Sequence, residues 1–279
     1  MFNQSFVLVY SIQAHTSSIQ RLISLPNGYV ASASLDNTSK IWSLTNSNWE
    51  LIRNFTGHTG PIHSIEYIST DVIATGSYDN TIKIWTISTG MTNRTINATT
   101  GVRSLKLLSN GYYLAAGLYS IWKINIYNIY TGDLISTLSG HTSSINELVV
   151  ISSTLLASSS SDLSIRIWDL TTNTIKLILT GHTNDVFGLK LISTNILASG
   201  SWDKSIKFWD ITTNSNTRTL TNQNGSIYWG IYMLNSQTLL SGCMDQSIAF
   251  WNLSSYQVIN KINTSLQVKN LCVFNATSE

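Results

Sequence analysis

The segment GHTNDVFGLKLISTNILASGSWDKSIKFWD, residues 181–210, is one copy of a unit that recurs along the chain. Residues 140–169 read GHTSSINELVVISSTLLASSSSDLSIRIWD, and residues 57–85 read GHTGPIHSIEYISTDVIATGSYDNTIKIW. Residues 14–42 read AHTSSIQRLISLPNGYVASASLDNTSKIW. Weaker copies cover residues 222–252 and 100–128, the latter with Tyr127 in the Trp position. The closing aromatics Trp42, Trp85, Tyr127, Trp168, Trp209 and Trp251 stand 43, 42, 41, 41 and 42 residues apart. A steady period of this length means one supersecondary unit per repeat, each burying its faces against its neighbours.

Within a unit the pattern is that of antiparallel strands. In residues 181–221, Val186, Leu189 and Leu191 mark an innermost strand and NILASG a second. SWDK is a tight turn, SIKFWD a third strand and SNTRTL an outer fourth. No segment carries a helical period. A single four-stranded unit cannot cover both of its faces, so the units must stack and close into a ring.

Gly-His near the start and Trp-Asp at the end, at this spacing, make the chain resemble the WD40-repeat proteins over almost its whole length. The resemblance implies an all-β fold, a β-propeller. Its six recognisable blades span residues 14–56, 57–97, 98–139, 140–180, 181–221 and 222–262. Residues 6–13 and 266–274 supply an outer and an inner strand of a partial seventh blade, closed by both chain ends. Its two middle strands are missing. The chain then reads as a fragment of a longer protein, a ring with one thin blade, or a ring closing at six. An open strand edge predicts self-association or strand exchange there.

The resemblance also assigns a hydrogen-bonded relay to each full repeat. The sets are His15, Ser32, Asp36 and Trp42; His58, Thr75, Asp79 and Trp85; His141, Ser158, Asp162 and Trp168; and His182, Ser199, Asp203 and Trp209. Indole donates, hydroxyl and neutral imidazole do both, and carboxylate accepts, so such a chain satisfies every buried polar group. In the sixth repeat Gln223 replaces His while Ser241, Asp245 and Trp251 remain. In the third, Ala98, Ile121 and Tyr127 fill the His, Asp and Trp positions, and apolar packing alone is expected to hold that blade.

These assignments bear on chemistry. The recurrent histidines fall in different blades and cannot converge on one metal ion. Of ten Asp, five occupy the turn and two follow a structural Trp, which leaves few carboxylates for an acid–base pair. No phosphate-binding loop, His-Glu-x-x-His or Gly-x-Ser-x-Gly occurs. No cofactor and no metal is expected.

Charged residues make up only 11% and the net charge is +2, with no two cationic residues adjacent, so a basic stripe for nucleic acid or anionic membrane is not expected. The N-terminus reads as a strand rather than a signal peptide. With two cysteines, Cys243 and Cys272, buried reduced thiols fit better than a disulfide framework. A cytoplasmic protein is expected, with a nuclear one the alternative.

A propeller without catalytic groups presents its faces to other proteins. In the family the usual binding face carries the turn Asp. The positions that match it here include Phe187, Trp202, Tyr228, Met244, Tyr78, His63, Arg103 and Asp185. Aromatics, Met and Arg are the residue types that anchor interfaces. The expected function is a non-catalytic scaffold binding a protein or peptide on that face. The opposing view of Trp202 and Phe187 is that they pack on each other and cap their blade. Other readings are the propeller part of a ubiquitin-ligase substrate receptor or signalling protein, a propeller enzyme, and a partial gene copy without a selected partner.

Overall fold

The computed structural model describes residues 12–26, 28–45, 48–221, 225–265 and 267–272. It forms six four-stranded antiparallel sheets, one per repeat, arranged as the blades of a β-propeller. The innermost strands are Ile19–Ser24, Ile62–Ser69, Val102–Leu107, Ile145–Val150, Val186–Ser193 and Ile227–Asn235. In blade five they are followed by Ile196–Ser201, Ile206–Asp210 and Ser215–Leu220, each paired to the strand before it.

The hydrophobic cores lie between blades. Five apolar clusters each join two neighbours, as Ile82, Ile84 and Ile96 of blade two meet Val102, Leu114 and Leu118 of blade three. Blades approach this closely because the second strand carries a glycine in four of them. A Cβ on Gly76 would come within 2.5 Å of Val102, and one on Gly200 within 2.5 Å of Ile227. Gly117 faces Ile145, and Gly242 faces Val268, in the same way. In all six blades the ladder between third and outer strands slips by one residue just before the closing aromatic. Such a bulge sharpens the local twist.

Of the expected partial seventh blade, the described residues show segment 267–272 lying against blade six. Val268 takes against Gly242 the place that Val102 takes against Gly76, and its N–H donates to the Cys243 carbonyl at 3.2 Å. The expected inner strand is not one among the described residues: 267–272 are assigned to no strand. Residues 6–11, 266, 273 and 274, and with them the expected outer strand, lie outside the described residues, as does Gln223.

Candidate functional site

The Gly-His pair and the Trp are spatial partners. The backbone of Gly57 and of Gly181 has φ +141°, and the indole edges of Trp85 and Trp209 lie 3.4 Å from where a Cβ would stand. Only glycine meets both conditions without strain. The following histidine then enters the blade. His182 Nδ1 and Asp203 Oδ2 are 2.6 Å apart, His182 Nε2 and Ser199 Oγ 2.7 Å, and Trp209 Nε1 donates to the same hydroxyl at 2.7 Å. The relays of blades one, two and four repeat this geometry between 2.7 and 3.0 Å. The carboxylate accepts only, which puts a proton on Nδ1; burial disfavours the charged ring, so Nε2 is assigned as bare and accepts from the hydroxyl.

Burial holds these four histidines below 6.5, and the hydrogen bond to the turn aspartate opposes this only in part. For the aspartates burial acts upward but is outweighed. Hydrogen bonds from a turn hydroxyl, the imidazole and backbone N–H groups bring Asp36 down to about 2 and hold Asp79, Asp162 and Asp203 below 3.8. Each relay is thus fully committed inside its own blade. In blade six Trp251 Nε1 still donates to Ser241 Oγ at 2.9 Å, and Asp245 accepts from Ser247 and Lys261.

Blade three differs from expectation. It is not held by packing alone. Asn125 Nδ2 donates to the Tyr127 hydroxyl at 2.9 Å and Thr137 Oγ1 donates to Asn125 Oδ1 at 2.9 Å, a substitute polar chain one strand further out. Ala116 takes the place of the relay hydroxyl. The hairpin between the second and third strands is one residue longer than in blade two: Gly117 pairs with Ile124 where Gly76 pairs with Ile82. The turn-Asp position therefore falls on Ser120 counted from one strand and on Ile121 counted from the other. This hairpin carries no buried carboxylate, and it projects. Tyr119, Ile121 and Trp122 are 41%, 42% and 44% exposed.

The residues expected at the channel mouth converge. His63 stacks on Tyr78 at 3.9 Å, Tyr78 meets Tyr119 at 4.9 Å, and Phe187 meets Trp202 at 4.8 Å and Tyr228 at 4.3 Å. The Arg103 guanidinium joins the two groups, 5.6 Å from the Tyr119 ring and 5.4 Å from the Phe187 ring. One aromatic layer thus runs from blade two to blade six across the mouth. Burial, reinforced by Arg103 and Lys269, pushes His63 down to about 3, and burial pushes Tyr78 up to about 12. Both are neutral. Asp185 accepts the Trp202 N–H through its carbonyl at 3.0 Å, and the Met244 N–H donates to Ser226 at 3.0 Å.

Exposure divides this set. Phe187 is 1% exposed, sealed beneath Trp202 and Tyr228. Trp202, Tyr228, Tyr78, His63, Arg103, Met244 and Asp185 are half-buried. The open apolar surface belongs to Tyr119, Ile121 and Trp122, of which the sequence reading named only Ile121, as the residue in the Asp position. The available signal was an Ile-Trp pair in a turn that elsewhere carries Asp followed by Asn, Leu, Lys or Gln. A second feature of the mouth is unmet polarity: among the described residues His63 Nδ1 and Trp202 Nε1 are buried without a hydrogen-bond partner.

The family model for the WD domain, G-beta repeat, matches residues 6–43, 49–86, 132–169 and 173–210. No curated protein matches the chain significantly. The four matched segments end in the third strands of blades one, two, four and five, the blades with complete relays. They leave out the closing strands of blades three and six, where the histidine is missing. With repeats matched over more than half its length and six blades in place, the chain belongs to the WD40-repeat family of β-propellers.

Proposed function

We propose that this chain is a non-catalytic interaction module that takes a protein or peptide at the blade-three side of its channel mouth. WD40 propellers are in general protein-interaction scaffolds that bind proteins or peptides. The observation that carries the reading is the lengthened blade-three hairpin. Three large apolar side chains stand open on it, next to Tyr78 and Arg103, where four sibling turns bury a relay aspartate. Exposed aromatic and aliphatic area around an arginine is the composition of an interface core. Phe187, Trp202 and Tyr228 act from beneath, as a rigid floor for the mouth. The relay groups are consumed within their blades and have no free valence for chemistry, which supports a binding role.

Affinity capture from cells with the full chain tests this. A Tyr119→Ser/Trp122→Ser double variant is compared with wild type and with Leu163→Ser, an exposed residue on the blade-four turn. A protein retained by wild type and Leu163→Ser but lost from the double variant is expected. The same proteins on all three, with circular dichroism unchanged, would refute the hairpin as the docking site.

A further inference from the structure

Further along the inner strands than the aromatic layer, the six blades and residues 270–272 line a central cavity of about 480 Å³. That volume falls in the range of small-molecule sites. Five charged side chains line it, one from each of five successive blades, and their signs alternate: Arg21, Glu66, Lys106, Glu147 and Lys190. The sixth blade contributes Tyr232.

Four of the charges cancel in pairs. Arg21 grips both oxygens of Glu147 from across the ring. Lys106 Nζ donates to Glu66 Oε1 at 2.7 Å, and the Leu107 N–H donates to the same oxygen at 3.2 Å. The fifth does not cancel. Lys190 Nζ sits 4.9 Å over the Tyr232 ring and, among the described residues, makes no hydrogen bond or ion pair. Burial lowers its pKa, Glu147 opposes this, and Lys106 and Arg21 add to it. Lys190 is half-buried, and an ammonium partly withdrawn from water without an anion in direct contact is unfavourable unless a partner arrives. The ring face offset is partial, because a quadrupole does not replace a counter-charge. The wall as a whole carries one net positive charge.

We propose that the central cavity binds a small oxyanion, a carboxylate or a phosphate group, with Lys190 as its ion partner and Tyr232 as the adjoining wall. The site is separate from the protein-docking mouth and does not depend on it. A bound anion would complete the alternation of charge around the channel and join blade five to its neighbours.

The test is amine acetylation of the folded, full-length chain, read residue by residue by mass spectrometry in chloride, in inorganic phosphate and in acetate at equal ionic strength. Saturable slowing of Lys190 labelling, tenfold or more, is expected in phosphate or acetate, with the exposed Lys176 unaffected. The salt that acts at the lower concentration identifies the class. Equal labelling of Lys190 in all three salts would overturn the proposal. A Lys190→Gln variant gives a second reading: the anion-dependent rise in melting temperature should disappear, and its persistence would also overturn the proposal. The labelling arm needs no variant and stands if Lys190→Gln does not fold.

Discussion

Thr75→Val isolates what a relay contributes. Thr75 is completely buried; its hydroxyl accepts a hydrogen bond from Trp85 Nε1 at 2.7 Å and meets His58 Nε2 at 2.8 Å. Valine keeps the volume and the β-branched shape and removes only the oxygen. Two buried groups then lose their partner at once, an indole donor and an imidazole acceptor. Each orphaned group costs about 1–3 kcal/mol, so the predicted loss is about 2–6 kcal/mol. Thr75→Ser is the control. It keeps the oxygen, as the other three complete relays do, and removes one buried methyl, a loss of about 1 kcal/mol. In a chain of 279 residues the valine variant should melt roughly 4–10 °C below wild type. Urea unfolding followed by tryptophan fluorescence gives the ranking, provided the slope is unchanged. A valine variant at least as stable as the serine one would refute the view that the relay is held by polar satisfaction rather than by shape.

Acid should weaken the fold through the relay histidines. The relay histidines lie below 6.5 when folded, so the unfolded chain takes up protons first as pH falls. Their stabilisation is complete above 6.5 and is lost as pH drops toward the folded values, up to about 1.4 kcal/mol per neutral histidine at pH 5.5. Urea midpoints at pH 7.5 and 5.5 should fall accordingly; equal midpoints would contradict the neutral assignment. Gly200→Ala puts a methyl 2.5 Å from Ile227 and 2.7 Å from Ile231, so blades five and six must part. A loss of about 1–3 kcal/mol is expected by chemical denaturation, and a neutral result would mean that the blades are less closely packed than described.

What repeats in this chain was legible, and what varies was not. The strands, the turn and the four relays could be placed because each is stated four times over. Tyr78, His63, Arg103, Phe187, Trp202 and Tyr228 could be gathered at the mouth because equivalent positions in a ring face the same way. Which of them is covered depends on contacts between blades, and Phe187 is sealed by residues 15 and 41 positions away. The blade-three hairpin was misread because one inserted residue shifts the count, so that Ile121 seemed an aspartate lost rather than a surface gained. Asn125 escaped notice since it and Thr137 lie outside the shared motif, although its other partner Tyr127 fills the Trp position. The alternating charges of the channel come one per blade. A repeat-by-repeat comparison treats each as a deviation, and only closure of the ring sets them side by side.

The proposed function rests on the blade-three hairpin as the docking point. Lys123 is exposed beside Trp122 on that hairpin, and Lys176 is exposed on the outer strand of blade four. Amine cross-linking of the chain to its captured partner, mapped by mass spectrometry, reports which of them the partner approaches. Cross-links from Lys123 and none from Lys176 are predicted. Cross-links confined to Lys176, with Lys123 left as reactive as in the free chain, would contradict it.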